Sequence, residues 1–378
     1  MPGLIKRVLR KTLLKGPLLE GWTRHQYRRF DRIFVRKLAD LSRLPAPAPV
    51  PTPRTPRPKI RRLLVIADVM WEAKDLIPQL ERIAPVDLLD LRPALRRPEN
   101  KLSPPETVVC AVREFNAPEP DAILFYARGS LLSDEAFQLI RQRWRCPLIG
   151  MNLDDKANFF PWGVFSNGED NYQRWARQFD VNLTNTLAAV EWYQRNGCAC
   201  LYTPPGLHLP PGQTLPELTP SFAHELSFVG SSRAERRDVI DRLLALEFPV
   251  ALFGLGWPKA QWCTDPVDVF RGSQINLGFG FCTATQSQTT VKGRDFECPG
   301  VGACYLTTYN WELMFHWELG KEILCYRSFE ELVEMIAYYR RRPDECWKIA
   351  RAAHRRAAAE HTWEHRFRRV FRELGFEG

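Results

Sequence analysis

The sequence predicts an α/β protein made of two doubly wound parallel sheets, and three observations carry that expectation. From residue 60 onward, short apolar runs alternate with amphipathic helical stretches, the pattern of parallel strands joined by crossover helices. The alternation stops once, at "PPGLHLPPGQTLPELTP", and then restarts. A chain of 378 residues, 45% hydrophobic and 26% charged, is long and apolar enough to bury a core in each half.

The elements follow in order. "RRLLVIAD" reads as a buried strand, "WEAKDLIPQLERIA" as a helix and "VDLLDL" as a strand. "DAILFYA" and "CPLIGMNLD" are strands on either side of "SDEAFQLIRQRW", a helix opened by a Ser133 cap. "FDVNLTN", then "LAAVEWYQRNG" with Gly197 at its C-cap, then "CACLYTPPG" close the first series. The second series runs through "HELSFVGSS", "AERRDVIDRLLALE", "PVALFG", "PVDVFRGSQ", "INLGFG", "ACYLT" and "KEILCY". The tail is helical, with a capping box expected at Ser328 and Glu331 and a helix break at Pro343. Two such units joined by a proline-rich crossover leave a cleft, and ligands of these sheets bind outside the carboxyl ends of the strands. The expected domains are a basic arm at 1–44, a linker at 45–59, a first domain at 60–205, a connection at 206–224, a second domain at 225–350, and C-terminal helices at 351–378.

Charge is unevenly spread. Residues 1–62 hold 17 Lys and Arg against Glu20, Asp31 and Asp40, a net +14; the whole chain is +9, so the remainder is −5. Any attraction to a polyanion therefore belongs to the arm. Residues 4–14 place Leu4, Ile5, Val8, Leu9, Leu13 and Leu14 on one face and Lys6, Arg7, Arg10 and Lys11 largely on the other, a basic amphipathic helix. A second pattern of this kind, "QYRRFDRIFVRKLADL", follows. Three readings stay open: packing on the body, contact with an anionic membrane surface, and nucleic acid, the last disfavoured because no nucleic-acid motif accompanies the charge. "PAPAPVPTPRTPRP", with seven prolines in residues 45–58, is an extended spacer.

The ten cysteines are scattered without a CxxC pair, and most sit in apolar runs, so the expected compartment is reducing and cytoplasmic, with membrane association left to the arm. No apolar stretch approaches the roughly 20 residues of a membrane span. His361 and His365 lie one helical turn apart but lack a third ligand at a matching spacing, so no metal and no cofactor are expected. GxGxxG after the first strand, GxxxxGK[ST] and GxSxG are all missing, which argues against dinucleotide, P-loop and α/β-hydrolase chemistry.

The candidate site residues follow strands. In "FVGSSRAER", Gly230 ends a strand and Ser231, Ser232 and Arg233 open a helix, either an ordinary cap or an anion site. Gly254 allows a close backbone approach in "ALFGLGW", and Trp257 is a candidate wall for a flat base. In "VKGRDFECPGVGACYLT", Lys292 and Arg294 with Glu297 form either a surface ion pair or a cradle, the cations on a diphosphate and the carboxylate on ribose hydroxyls. Asp154 and Asp155 directly follow a strand; one of them could orient an acceptor hydroxyl or act as its base, or the pair caps a helix. Asp68 is a weaker candidate of the same kind.

The runs "SFVGSSRAER", "VALFGLGW", "SQINLGF", "KGRDFECPGVGACYLTTYNWELMFHWELGKEILCYRSFEEL" and "IARAAHRRAAAEHTWEHRF" resemble the CgeB-like (spore maturation protein) glycosyltransferases, relatives of the GT-B group, over residues 225–368. The first half resembles them only through "NLDD" and its strand order. The resemblance implies two Rossmann-like domains facing a cleft, a nucleoside-diphosphate-sugar donor held mainly by the second, and a glycan, protein or lipid acceptor held by the first. It implies Glu297 on ribose and Lys292 with Arg294 on diphosphate. Many GT-B enzymes carry a further Glu eight residues earlier; here that position is Thr289. The reading is a glycosyltransferase, with a non-catalytic nucleotide- or glycan-binding module as the alternative and a membrane scaffold as a third.

Overall fold

The computed structural model describes residues 32, 35–68, 72–97, 101–163, 171–210, 222–258, 260, 261, 263, 265–282, 286 and 288–377. The amphipathic pattern expected at 4–14 lies outside them, as does most of the second; residues 35–42 of the arm are helical. The chain forms two compact units. One comprises Ala46–Gln213, Val291–Glu297 and Ala357–Gly378; the other comprises Thr214–Thr290 and Cys298–Arg356, with the arm up to Pro45.

The first unit is built on six strands: β1 Leu63–Ala67, β2 Val86–Asp90, β3 Ala122–Tyr126, β4 Leu148–Asn152, β5 Val181–Thr184 and β6 Cys200–Tyr202. They pair in the order β2-β1-β3-β4-β5-β6, all parallel, with Leu63 opposite both Val86 and Ala122. Helices cover both faces, so β1 and β4 are buried along their whole length, which is why their sequences read as unbroken apolar runs. The strand order reverses between β1 and β3, and that switch opens a crevice beyond their carboxyl ends.

The last helix, Trp363–Glu373, belongs to this unit. Thr362 accepts a hydrogen bond from His365 N–H at its start, and Trp363, Phe367, Val370 and Phe371 recur every three or four residues. These side chains share one core with Leu63, Val65, Leu124 and Met151 of the sheet. Its entry is fixed by backbone bonds, Leu207 N–H to His361 O (3.1 Å) and Trp363 N–H to Leu207 O (3.2 Å).

The second unit carries β7 His224–Val229, β8 Val250–Phe253, β9 Ser273–Gly278, β10 Tyr305–Thr308 and β11 Leu324–Tyr326, ordered β11-β10-β9-β7-β8 and again all parallel. Its own core joins Leu226, Phe228, Ile275, Leu277 and Leu306 to Ile240 and Leu243 of the helix Ala234–Ala245. Here the switch falls between β7 and β9. Two sheets of this topology with helices on their faces form the two-domain Rossmann-like arrangement.

Local signals differ from expectation in two places. Glu331 does not complete a capping box: its N–H donates to Ser328 Oγ, but its carboxylate accepts from Arg327 N–H (2.6 Å), one residue too early. A full box stands instead at the helix Pro104–Glu114, where Ser103 Oγ accepts from Glu106 N–H and Glu106 Oε2 accepts from Ser103 N–H (2.8 Å). Among the described residues no helix is long and apolar enough to cross a membrane.

Candidate functional site

At the carboxyl edge of the first sheet, the neighbours Asp154 and Asp155 have different surroundings. Asp155, 1% exposed, turns inward. It accepts hydrogen bonds from Tyr193 OH (2.8 Å), Asn152 Nδ2 (2.6 Å) and Thr184 Oγ1, groups from three separate elements. Burial outweighs these bonds and pushes its pKa up to about 7. Its position makes it the hub that ties β4, β5 and the helix Leu187–Arg195 together, away from any diffusing ligand.

Asp154 is the exposed member, with a side chain 54% accessible. It occupies the N-cap position of the short helix Asp155–Asn158 but makes no side-chain capping bond. Its carboxylate instead faces Lys292 Nζ at 3.7 Å.

Lys292 arrives on the segment Val291–Glu297, which is grouped with the first unit although it follows β9 in sequence. Asn185, directly after β5, donates from Nδ2 to Val291 O (2.9 Å), and Lys292 N–H donates to Asp295 Oδ2 (2.7 Å). Phe296 is fully buried, edge-on to the His361 ring at 5.3 Å and beneath the Arg366 guanidinium at 5.2 Å. The segment is therefore anchored at Val291 and at Phe296, with its own Lys292–Asp295 turn between them. Of its four charged side chains, Asp295 is buried while Lys292, Arg294 and Glu297 are only partly covered, with Arg294 Nη1 and Glu297 Oε2 paired at 2.7 Å. Lys292 and Arg294 thus each face a carboxylate of this cluster, and an incoming anion could take either carboxylate's place on its cation.

The crevice at the β1/β3 switch holds Asp68, with its side chain 2% exposed and Oδ2 bonded to Arg128 Nε at 2.7 Å. Its other oxygen is buried and has no hydrogen-bond partner among the described residues. A buried, half-satisfied carboxylate at a strand switch is costly unless something else completes it.

In the second unit, Gly230 and Gly254 end β7 and β8. Gly254 has φ +115°, and a Cβ there would lie 2.7 Å from Gly230 O, so only glycine allows this approach. Gly230 O also accepts from Trp257 Nε1 (2.8 Å), while the Trp257 ring is buried edge-on to Phe228. Trp257 is a support beneath the turn, and its face is not open as a wall for a base. Ser231 is half-buried and its carbonyl accepts from Arg236 Nη1 (3.2 Å); Ser232 N–H donates to Leu255 O (2.8 Å). Arg233 is the exposed N-cap of Ala234–Ala245; its carbonyl accepts from Arg236 and Arg237 N–H, and its side chain makes no capping bond. Thr289 bridges Phe281.

Sequence reading missed the Asp155 network and the aromatic group beside it. Phe160 and Trp162 stack at 4.5 Å next to Phe159 and Trp192; the run "NFFPW" was the available signal. Among the described residues no group of three or more His, Cys, Asp or Glu could hold a metal ion.

Residues 233–372 match the family model described as glycosyl transferase-like. The chain is similar in structure to Anabaena HepE in complex with UDP-glucose, with a TM-score of 0.57, 15% identity, and coverage of 83% of this chain and 99% of that one. It is similar also to sucrose-phosphate synthase from Thermosynechococcus elongatus, with a TM-score of 0.53, 12% identity and the same coverages. No curated protein matches the sequence. The two parallel sheets and these likenesses give the GT-B fold, and the matched domain gives the class: a glycosyltransferase.

Proposed function

We propose that the protein moves a sugar from a nucleoside-diphosphate donor to an acceptor hydroxyl, and that it is CgeB-like within the GT-B group. HepE's complex with UDP-glucose makes a uridine diphosphate sugar the first donor to test. The observation that carries the reading is the anchored segment 291–297, whose cations are held partly buried in pairs of the kind a diphosphate and a ribose would replace. In this reading Lys292 and Arg294 neutralise the leaving diphosphate and Glu297 accepts hydrogen bonds from ribose hydroxyls. Asp154 orients the acceptor hydroxyl or takes its proton as the bond from the anomeric carbon to the acceptor oxygen forms and the bond to the diphosphate breaks. Asp155 serves as the positioning residue beneath Asp154.

The turn at Gly230, Ser231, Arg233 and Gly254, with Trp257 supporting it from beneath, is proposed as donor-binding on separate grounds, its glycine geometry and its helix start without a side-chain cap. Ser231→Ala and Arg233→Ala test it independently. Donor binding requires no metal in this reading. The arm at 1–44 adds contact with an anionic membrane surface.

The test is isothermal titration of UDP into wild type, Lys292→Ala and Arg294→Ala, beside turnover with a panel of sugar nucleotides. Weakened binding in both variants and donor turnover by wild type support the reading; binding that neither variant changes removes it.

A further inference from the structure

The amino edge of the first sheet, opposite the edge that carries Asp68 and Asp154, holds a surface that the transfer reaction does not use. The proline-rich linker docks there. Arg57 N–H donates to Gly375 O (2.8 Å), Glu377 N–H donates to Arg57 O (3.2 Å), and Arg54 pairs with Glu373 at 2.6 Å. Gly375, at φ +90°, brings its backbone so close that a Cβ would fall 2.1 Å from Thr55 O. The linker is therefore seated against the end of the last helix.

Two cavities border this linker, one lined by Lys59 and the other by Pro53 and Arg57. One, of about 330 Å³, is floored by Ile60 and Phe371 and rimmed by Lys59, Arg368 and Arg372, with His365 and Glu377 also on its wall. The other, of about 240 Å³, is walled by Trp144 and Leu374 and carries Arg57, Arg141 and Arg145. The acids nearby are largely engaged. Asp180 accepts from Arg141 (2.8 Å) and from Leu148 N–H (2.6 Å), and Glu364 is held by Arg82 and Arg368, each at 2.9 Å. Glu377 remains at the rim of the first cavity. Within the second, Arg57 Nε is buried without a hydrogen-bond partner among the described residues.

We propose that this edge is a docking surface for an anionic phospholipid bilayer, with headgroup phosphates entering the two cavities. Phosphate supplies acceptor oxygens for Lys59 and Arg372 at one cavity and for Arg57 and Arg145 at the other, while Arg368 and Arg141 stay paired with Glu364 and with Asp180, which also lines the second cavity; glycerol and acyl carbons meet the apolar floors. The linker leads directly to the arm, whose residues 1–44 combine Leu, Ile and Val with 12 Lys and Arg against three acids, a net +9. A surface for single-stranded nucleic acid would instead present exposed aromatic rings between its cations. The inference rests on the membrane contact proposed for the arm and extends it to a separate, folded surface; it does not depend on the donor reading.

Sedimentation of the full chain with phosphatidylcholine vesicles, with and without phosphatidylglycerol, tests it. Wild type should partition onto the anionic vesicles only. Lys59→Glu/Arg145→Glu/Arg372→Glu, all exposed positions, should lower that partitioning by about tenfold or more, since each charge near such a surface matters on the order of 1 kcal/mol. The corresponding triple Gln variant should show a smaller loss in the same direction, and Tm and donor turnover should not change. Wild-type partitioning by the Glu variant, with loss only in Arg7→Glu/Arg10→Glu/Lys11→Glu, would assign the contact to the arm alone and overturn the proposal. Release of wild type by a duplex oligonucleotide at concentrations that leave bulk screening unchanged would assign the surface to nucleic acid and overturn it too.

Discussion

The two sheets end in turns made by different means. Beyond β4 and β5 of the first sheet the defining contact is between side chains: Asp154 on Lys292, Glu297 on Arg294, and Asp155 held beneath them by three donors. Beyond β7 and β8 of the second sheet it is in the backbone, where Gly254 lies against Gly230 O and Trp257 fixes that same carbonyl. Side-chain sites lose chemistry on mutation while the fold survives, because their exposed charges contribute little to stability. Backbone turns behave the other way, because changing one requires moving the chain.

The largest expected effect separates the two neighbouring acids. Asp154→Ala should lower turnover by about 10²- to 10⁴-fold, the usual worth of a positioned acid or base, with Tm unchanged. Calorimetry and a donor-coupled rate assay check this; a variant at full rate would leave Asp154 as a surface charge. Gly254→Val should do the reverse, costing about 3 kcal/mol or more of stability from the strained φ together with the contact on Gly230 O, read as a lowered denaturation midpoint. Asp155→Ala comes next, at about 2–3 kcal/mol, because it leaves the buried Asn152, Thr184 and Tyr193 donors without their shared acceptor.

A smaller effect is the pH dependence of that hub. Asp155 keeps its proton in the folded state up to about pH 7, whereas the unfolded chain releases it near the ordinary value of 3.8. The unfolded state therefore binds fewer protons across that interval, and this group's contribution to stability falls as pH rises from about 4 to about 7, then stays level. Asp155→Asn should remove the slope, so the Tm gap between wild type and variant should be wider, in favour of wild type, at pH 5 than at pH 8. Parallel curves would show that Asp155 titrates normally.

Much of this architecture was legible because buried parallel strands write themselves as unbroken apolar runs, as in "LLVIA" and "LIGMN". The cap at Ser133 and the αL turn at Gly197 were legible for the same local reason. Residues 92–119 were not, since five prolines mask the helix Pro104–Glu114 even though Ser103 and Glu106 spell its start. The inward turn of Asp155 was hidden because its partners lie up to 38 residues away, on three elements. The inward turn of Trp257 depends likewise on Gly230, 27 residues earlier. Nor does the sequence show that 291–297 is anchored by Asn185, 106 residues before Val291. Period and capping are local properties, whereas the company a side chain keeps is set by the tertiary fold.

The most direct test of the side-chain cradle is UDP affinity measured calorimetrically for wild type and the double variant Lys292→Ala/Arg294→Ala. Each charge-assisted contact removed should cost about 1.5–3 kcal/mol, so the double variant should bind at least about 100-fold more weakly while melting at the wild-type temperature. Equal affinity in the two proteins would contradict the account.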